Sequence, residues 1–364
     1  MIADLSIEQL IEQYKPRIKK TFAADRQFVK AEFTNDGSHI VTVGYDASVR
    51  LWATDSDEPQ QVSLDESHQG WVTGLAVHST NARIFTSDSF ATLTCFDYTN
   101  GTLQPVWSNS EAHDGWIREL ALAPDGKTLA SVSRDQTIRT WDPNTGNQRD
   151  AFQGHGADIY TVAWHPDSTA FATGDAKGNV IYRDAKSGAI KKEFDASELF
   201  AVQRLQDVGG VQSLTFSLDG NTLFAGGCKP NNGGNVQGVP LVFRFDLAGN
   251  QPVERLELGV SSDVYVRNIT MHPDGFMLAV TNGNPGIGKL QFHRFGDDKP
   301  FYVNSKLLNC HHISLHPNKR DFAVTTTSRG SNGNGRPLKD GEYVGSHSPV
   351  HVLTFDPPAE EAPS

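Results

Sequence analysis

The chain has 364 residues with a formal net charge of −11, and it contains 33 glycines and 18 prolines but only 21% charged residues. Hydrophobic residues make up 37%, and no apolar run approaches the roughly 18 to 20 residues that a bilayer span needs, which excludes a helical membrane protein and predicts a soluble globular chain. The acidic balance argues against a phosphate-binding surface, so neither nucleic acid nor membrane is an expected partner.

Cysteine usage and the first residues indicate the compartment. The three cysteines, Cys95, Cys228 and Cys310, lie far apart and are odd in number, so they build neither a disulfide framework nor a CxxC zinc site. The opening stretch MIADLSIEQLIEQY lacks a basic segment followed by an apolar stretch and a cleavage site. We therefore expect a reducing, cytoplasmic location.

The first predicted element is a short amphipathic helix within residues 1–16. Its apolar residues have the i, i+3, i+4 and i+7 spacing of one helical face: Ile7, Leu10, Ile11 and Tyr14. Ser6 and Gln9 have the spacing of a capping box, and Pro16 follows the helix. We expect the apolar stripe to pack on the rest of the protein; docking of a partner on it is the alternative.

A repeat follows the helix and organises the rest of the chain. HQGWVTGLAV from His68 and HDGWIRELAL from His113 align without gaps, and each leads through a polar turn into a second apolar strand. Equivalent positions recur seven times, at Val29, Val72, Ile117, Ile159, Val211, Val266 and Cys310. Most intervals are close to the roughly 40 to 45 residues, with about four short strands each, that are typical of radial β architectures and not of helical solenoids.

Three short motifs resemble the WD40-repeat β-propeller family: IRTWD ending at Asp142, VRLW ending at Trp52, and the pair Gly154 and His155. The resemblance extends over almost the whole chain. It implies an all-β fold, a single seven-bladed β-propeller of four-stranded antiparallel blades. In that family a His, a Ser or Thr, an Asp and a Trp form a hydrogen-bonded tetrad. The third unit supplies these residue types at His113, Ser131 or Ser133, Asp135 and Trp141.

The other units depart from this pattern. The second has Phe90 and Phe96 at the expected positions of Asp and Trp, and the fourth has Lys177 and Arg183 there. Complete tetrads are therefore expected to be mostly absent. The fold prediction rests on the number of repeats and on their strand pattern more than on the tetrad residues.

The seventh unit lacks a fourth strand, because its third strand ends at Phe355 and a Pro-rich acidic stretch follows. RIKKTFAAD from Arg17 matches AIKKEFDAS from Ala189, which occupies the fourth-strand position of unit four. We predict that Ile18 to Phe22 completes the last blade and closes the ring, which leaves no exposed central edge. The predicted segments are the helix in 1–16, the propeller in 17–356 and a disordered Pro/Glu-rich tail in 357–364.

Four insertions extend the repeat: Glu198 to Gly210, Cys228 to Pro240, Asn282 to Lys289 and Ser328 to Pro349. Strand alternation places them on one face in a contiguous sector, where Gly- and Asn-rich loops on a rigid scaffold favour binding; loosely ordered decoration is the alternative. Aromatic residues on that face are interface anchors or, equally well, lids on the blade cores. With charged insertion residues they form the predicted partner-binding set: Trp71, Trp116, Tyr265, Lys229, Arg329, Arg336, Lys339, Glu342 and Tyr343.

Two other patterns suggest chemistry less strongly. GNPGIGK from Gly283 to Lys289 has phosphate-loop spacing, but Leu290 follows where Ser or Thr is needed and LQFHRF alternates like a strand, which favours a hairpin loop. His165, His272 and His316 each precede Pro in the first turn of a unit, which indicates structural positions.

The predicted function is a non-enzymatic scaffold that binds a protein or peptide partner through the loop-bearing face of blades 5–7 and the central opening. No cofactor is expected, and the chain is expected to be monomeric on its own. The alternative is a propeller enzyme, or a small-molecule or metal-binding protein, with a lactonase-like site at the axial opening. Its candidate zinc ligands are His311, His312 and His347. Adjacent strand residues point to opposite sides, so the favoured prediction is that no metal is bound.

Overall fold

The computed structural model describes residues 2–24, 26–55, 60–203, 205–231, 237–249, 252–283, 286–327 and 348–355, and the backbone of 338–339 and 342–343. Within these residues the chain forms seven four-stranded antiparallel sheets arranged as the blades of a ring. We number the blades 1 to 7 and name their strands A to D. The A strands of neighbouring blades contact one another, so they surround the axis and the D strands lie outermost.

The A strands are Phe28–Phe33, Val72–Val77, Ile117–Leu122, Ile159–Trp164, Val211–Phe216, Tyr265–Met271 and His312–Leu315. The B strands are His39–Gly44, Arg83–Asp88, Leu129–Ser133, Ala170–Asp175, Thr222–Pro230, Met277–Asn282 and Asp321–Thr325. The C strands are Val49–Ala53, Leu93–Asp97, Ile138–Trp141, Asn179–Asp184, Gly238–Asp246, Gly288–His293 and Ser348–Thr354. The D strands are Gln60–Asp65, Gln104–Asn109, Gln148–Phe152, Ile190–Asp195, Pro252–Glu257, Tyr302–Asn304 and, in blade 7, Arg17–Ala24.

Because neighbouring strands are antiparallel, the two faces of the ring carry different connections. The D–A and B–C connections share one face, the loop face, and the A–B and C–D turns share the other, the turn face. The minor elements are the helix Ile7–Tyr14, the 3-10 turns Ile2–Asp4 and Ser197–Leu199, and two small hairpins, Phe200–Gln203 with Gln206–Gly209 and Leu338–Lys339 with Glu342–Tyr343. No helix in the described part of the chain has the length and apolar content to cross a membrane.

The apolar core lies between the blades. Every residue of Leu129–Ser133 and Ala170–Asp175, two B strands, is buried, because such a strand has a neighbour on each edge and a blade on each side. The outer strand Gln148–Phe152 has no fully buried residue. One core cluster includes Val41 of blade 1 and Phe96 of blade 2, so burial of apolar surface holds each blade against the next.

The ring is closed by the strand that precedes blade 1 in sequence. Arg17–Ala24 pairs antiparallel with Ser348–Thr354, and its register places Arg17 opposite Thr354 and Phe22 opposite Val350. The predicted closure is confirmed. Phe22 is also buried against Trp52 of blade 1, with ring centroids 4.7 Å apart, so the closing strand joins blade 7 to blade 1 by packing as well as by backbone hydrogen bonds.

The helix Ile7–Tyr14 packs on blades 6 and 7 with only half of its predicted stripe. The capping box forms as predicted, because Gln9 N–H donates to Ser6 Oγ at 3.2 Å and Ser6 N–H donates to Gln9 Oε1 at 2.8 Å. Leu10 and Tyr14 are buried, and the Tyr14 hydroxyl donates to Asp274 Oδ2 at 2.7 Å. The remaining stripe residues stay exposed: Ile7 and Ile11.

The histidines of the A–B turns join neighbouring blades on the turn face. The Nε2 atoms of His165, His272 and His316 lie 3.0, 3.0 and 3.2 Å from backbone carbonyls of the next blade, those of Gly220, Lys319 and Gly37. All three carbonyl residues have positive φ. The repeated pre-proline histidines therefore have a structural use in the turn geometry.

Candidate functional site

A ring of seven side chains surrounds the axis near the loop face. In blades 1 to 6 the A–B pairing shifts register near the start of strand A and leaves one residue out of the ladder; in blade 7 the N–H of His311, just before strand A, donates to Thr325 O at 2.9 Å. Because a bulge redirects its extra residue, all seven line one axial pocket of about 400 Å³. These residues are Val29, Thr73, Arg118, Tyr160, Gln212, Arg267 and His311.

Two of the three cations that line this pocket are paired with carboxylates. Lys30 Nζ lies 2.7 Å from Glu119 Oε1, an ion pair between blades 1 and 3. Arg118 donates from Nε to both oxygens of Asp158, at 3.2 and 3.1 Å, and its Nη2 also contacts Asp158. The third cation, Arg267, donates from Nη1 to the amide oxygen of Gln212 at 3.0 Å.

Aromatic side chains cluster beside the pocket around one surface depression, and we name this cluster the aromatic arc: Tyr45, Trp71, Phe90 and Trp116. Ring centroids lie 5.1 Å apart for Tyr45 and Trp71 and 5.5 Å apart for Trp71 and Trp116. Trp71 is 42% exposed and Phe90 is 67% exposed. Trp116 donates from Nε1 to Thr73 Oγ1 at 2.9 Å, and the Arg118 guanidinium lies 3.7 Å from its ring centroid. The arc therefore runs from the loop face of blade 1 into the axial pocket.

The predicted partner-binding residues are distributed unevenly around this site. Trp71 and Trp116 belong to the aromatic arc, and Tyr265 lines the axial pocket, where burial raises the pKa of its hydroxyl to about 12. Lys229 lies away from the opening, at the end of strand B in blade 5. Its Nζ is 3.3 Å from carboxylate oxygens of both Glu198 and Glu257, so it is part of a surface ion-pair network.

The remaining predicted residues belong to the insertion of blade 7. The backbones of Lys339 and of Glu342 and Tyr343 form a two-residue hairpin, in which Lys339 is opposite Glu342. Arg329 and Arg336 lie outside the described residues, as does the predicted tail. In blade 5 the predicted insertion is wrong at both ends, because Cys228 pairs with Pro240 and the strands continue to Pro230 and from Gly238.

Blade 3 brings the four tetrad residues together. His113 lies with Nδ1 2.9 Å from Asp135 Oδ2 and with Nε2 2.7 Å from Ser131 Oγ, and Trp141 Nε1 donates to the same hydroxyl at 2.8 Å. Ser131 is thus the tetrad serine, and Ser133 instead donates to Gly115 O. Burial opposes ionisation of Asp135, but the hydrogen bond from His113 holds its pKa well below the usual range.

Blades 2 and 4 also join a histidine to an aspartate, which the sequence interpretation missed. His68 lies 3.0 Å from Asp88 and 2.8 Å from Thr86, and His155 lies 2.9 Å from Asp175 and 2.8 Å from Thr173. The expectation that Phe90 and Lys177 replace the aspartate is wrong, because the carboxylate comes from the last residue of strand B, two positions earlier, and reaches the same imidazole. Phe96 and Arg183 do occupy the tryptophan position.

The histidines proposed as zinc ligands are engaged by protein groups. His311 Nδ1 and Nε2 lie 3.3 Å from the amide nitrogens of Asn282 and Gln27, and His312 Nδ1 lies 3.2 Å from Ala31 O. Burial lowers the pKa of both histidines to about 3, so both rings are neutral. His347 lies outside the described residues, and within those residues no group of three His, Cys, Asp or Glu side chains is placed to hold a metal.

The phosphate-loop pattern connects strands B and C of blade 6, in agreement with the predicted hairpin loop, and among its described residues only the last two, Gly288 and Lys289, belong to a strand. Gly288–His293 is strand C of blade 6, with Asn282 paired to Gly288. Lys289, the lysine of the motif, donates to Asp263 Oδ2 at 2.6 Å, so its charge is used inside the blade.

Comparison with known proteins agrees with this architecture. The family model for the WD domain, G-beta repeat, matches residues 19–53, 104–142 and 146–184, which include strands of blades 1 to 4. Those matches and the seven four-stranded blades decide the family. The chain is a WD40-repeat β-propeller.

Curated relatives of this WD40 propeller align with part of it. WD repeat-containing protein 90 of Xenopus tropicalis is 25% identical over 209 residues, which is 57% of this chain and 10% of that protein. Protein tipD of Dictyostelium discoideum is 28% identical over 151 residues, 40% of this chain and 24% of that protein. The guanine nucleotide-binding protein subunit beta of Solanum tuberosum is 25% identical over 204 residues, 53% of each. The chain thus spans about half or less of the length of these relatives.

Sequence reasoning missed several residues of the WD40 propeller's axial site. Arg118, Tyr160, Gln212 and Arg267 occupy equivalent positions in their units, one residue after the first apolar residue of strand A. A column of charged and polar residues in the innermost strand of each unit is the signal that could have found them. Phe90 was interpreted as a replaced aspartate, although an aromatic residue in a turn is itself a sign of an exposed contact.

Proposed function

We propose that this WD40 propeller is a non-enzymatic scaffold that binds a protein or peptide partner on its loop face, at the aromatic arc and the axial pocket. The observation that carries the proposal is the exposure of Trp71 and Phe90 beside an open pocket. Aromatic residues are enriched among the residues that dominate binding energy in protein interfaces, and an exposed aromatic cluster next to a cavity is unusual on a surface with no partner.

The arc has the rigidity that an interface anchor needs. The backbone N–H of Trp71 donates to Ser89 Oγ at 3.1 Å, and the indole of Trp116 is fixed between Thr73 and Arg118. Because these groups are already ordered in the free protein, a partner that packs on them loses little conformational entropy of the propeller. This favours a preformed contact surface on blades 1 to 3.

The insertions support the same face. The hairpin Phe200–Gln203 with Gln206–Gly209 belongs to the D–A connection between blades 4 and 5, and its Asp207 and Gly209 line the axial pocket. The insertions of blades 5 to 7 belong to B–C connections, which share the same face. We place the primary contact on the arc and give the insertions a secondary role, as contacts across the opening. The relatives named guanine nucleotide-binding protein subunit beta are, by that name, subunits of an assembly, which is consistent with a protein partner.

The test is site-specific photo-crosslinking in native extract. A photoreactive phenylalanine analogue at position 90 should capture a discrete partner, and Trp71→Ala should reduce that capture at least tenfold. The same analogue at position 64 is the matched control, because Leu64 is 43% exposed but lies on the outer D strand of blade 1. Equal capture from both positions, or capture that Trp71→Ala does not change, contradicts the proposed face.

The enzymatic alternative has its own measurement. It requires a metal or a nucleophile at the axial pocket, whereas Nδ1 of His311 and Nδ1 of His312 already lie within hydrogen-bond distance of Asn282 and Ala31. Metal analysis of the purified full chain checks this directly. One zinc ion per chain that is lost on His311→Ala would overturn the non-enzymatic proposal, and a metal content independent of that substitution would support it.

A further inference from the structure

The axial pocket contains one positive charge for which the described residues provide no carboxylate partner. Lys30 is paired with Glu119 and Arg118 with Asp158, whereas the side-chain hydrogen bond found for Arg267 in the described part of the chain is to the neutral amide of Gln212. A partly buried guanidinium with a neutral partner retains most of its capacity to bind an anion, because its fork of N–H donors matches a carboxylate.

Gln212 is held in the orientation that positions Arg267. Its Nε2 donates to Gly209 O at 3.1 Å, which directs Oε1 to the Nη1 of Arg267. Gly209 has φ +104, and a Cβ atom there would lie 1.9 Å from Leu199 O, so the hairpin that ends at Gly209 requires glycine. The insertion between blades 4 and 5 thus fixes the guanidinium through one amide.

Neutral polar groups line the pocket beside Arg267, and the lining also includes the acidic residue Asp207, which no ion pair among the described residues joins to Arg267. Tyr160 and Tyr265 both line it, burial raises the pKa of both hydroxyls, and protonated phenols can donate to an anion. The Asn268 Oδ1 accepts from Ile313 N–H at 3.1 Å, which leaves its NH₂ group as a further donor. His311 on the other side is neutral.

We propose that Arg267, positioned by Gln212, binds a carboxylate of the partner, an Asp or Glu side chain or a C-terminal carboxylate, inserted into the axial pocket. This inference rests on the proposed function, since it names the chemical group that the loop face takes. A singly charged carboxylate matches the one guanidinium of the pocket lining that has no ion pair among the described residues. A phosphate dianion would need a second free cation, while Lys30 and Arg118 are already neutralised.

The experiment titrates the full chain with three probes: N-acetyl-glutamate N-methylamide, its glutamine counterpart and inorganic phosphate. Calorimetry should show saturable millimolar binding of the glutamate probe and none of the glutamine probe. Arg267→Gln should weaken the glutamate probe at least tenfold. The matched control is Arg255→Gln, which removes an arginine that pairs with Glu198 at the outer strand of blade 5 and should change nothing.

Each outcome decides one point. Glutamate binding that survives Arg267→Gln, or the absence of saturable binding, overturns the assignment, and phosphate that binds more tightly than glutamate through Arg267 replaces the carboxylate with a phosphoryl group. Gln212→Ala, which keeps the arginine, should weaken the probe several-fold, so the proposal stays testable if Arg267→Gln does not fold. Trp71→Ala should leave probe binding unchanged. Loss of partner capture in that variant with the probe site intact separates the proposed function from this inference.

Discussion

Every one of these blades, 2 to 4 as well as 6 and 7, holds its own D–A loop against its own sheet, but blades 2 to 4 do so with different residue types from blades 6 and 7. In blades 2, 3 and 4 a histidine of the D–A loop meets an aspartate at the end of strand B or in the B–C turn. In blade 6 the acid is on the loop and the base is on the sheet, because Asp263 pairs with Lys289. In blade 7 the backbone of Asn309 accepts from Thr327 N–H at 3.2 Å.

The difference shows that the position of the fastening is preserved while the residue types are not. Each fastening satisfies polar groups where the D–A loop turns into the buried strand A, and an unsatisfied buried polar group there would cost about 1 to 3 kcal/mol. Any pair of residues that satisfies these polar groups can therefore hold the loop in place. A pattern search for both histidine and tryptophan therefore recognises blade 3 and overlooks blades 6 and 7.

The strongest test of the histidine–aspartate contacts in blades 2 to 4 is Ser131→Ala in blade 3. The substitution leaves both Trp141 Nε1 and His113 Nε2 without their shared partner, so the free energy of unfolding should fall by about 2 to 4 kcal/mol. Chemical denaturation measures it. Ser133→Ala is the comparison and should cost about 1 kcal/mol, because its hydroxyl mainly contacts backbone groups. Equal losses would mean that the tetrad is not the fastening in this blade.

The ion pair that replaces the histidine–aspartate contact in blade 6 is tested by Lys289→Met. Asp263 has a side chain only 2% exposed, and loss of the lysine leaves its carboxylate with the Val260 N–H as the remaining hydrogen bond found in the described residues. We expect a loss of about 2 kcal/mol, measured by urea unfolding. Lys289→Met combined with Asp263→Leu should recover part of it. If the single variant is as stable as the parent, the ion pair does not replace the histidine–aspartate pair.

The stability of the junction between blades 7 and 1 should depend on pH in the opposite direction from that of blades 2 to 4, because Glu32 lies at this junction. Burial raises the pKa of Glu32 to about 7 although the Ser314 hydroxyl and Lys30 favour its ionised form; Glu119 opposes ionisation, and neutral His312 lies 3.5 Å away. A carboxyl whose pKa is raised on folding loses stability as pH rises from about 4.5 through 7. The aspartates Asp88, Asp135 and Asp175 act in the opposite direction, because their lowered pKa values give stability that is lost as pH falls.

Glu32→Gln removes the loss of stability with rising pH and leaves the loss of stability with falling pH that the aspartates cause. The variant should be more stable than the parent by about 1 to 2 kcal/mol at pH 8 and equal to it near pH 4.5, because the neutral amide resembles the protonated carboxyl. Urea unfolding at the two pH values measures the difference. A difference that is the same at both pH values would show that Glu32 is ionised without cost in the folded protein.

The fold could be predicted from sequence because its signals are repeated. Seven similar units, polar turns and alternating apolar residues all predict blades, and the match of Arg17 to Asp25 with Ala189 to Ser197 predicts the closing strand. The axial site is different, since each blade contributes a single residue to the ring of seven side chains that surrounds the axis. Arg267 can be inferred to bind an anion only once it is seen next to Gln212, which is 55 residues away in sequence, and once the neighbouring cations are seen to be paired. Such a balance of charges is a property of the assembled ring.

The aromatic arc, which we propose as the partner-binding surface, was only partly predictable for a related reason. Trp71 and Trp116 were recognised, but Tyr45 and Phe90 were not. Tyr45 meets Trp71 only through the packing of blade 1 on blade 2, whereas Phe90 lies in the B–C turn of the same blade as Trp71. The insertions drew the expectation to blades 5 to 7. Insertion length is visible in a sequence, whereas adjacency across blades is not.

The closing strand ties completion of the fold to the timing of synthesis. Thr21 and His351 lie opposite each other in blade 7 but are 330 residues apart in sequence. At roughly 5 to 20 residues per second, the ribosome needs roughly 15 to 65 s to make the segment that the first strand pairs with. Throughout that interval blades 1 to 6 can assemble outside the ribosome while their ring remains open. The first strand of the propeller to emerge is therefore the last one to be paired, and a chain that stops short of blade 7 exposes both edges of the gap to other nascent chains.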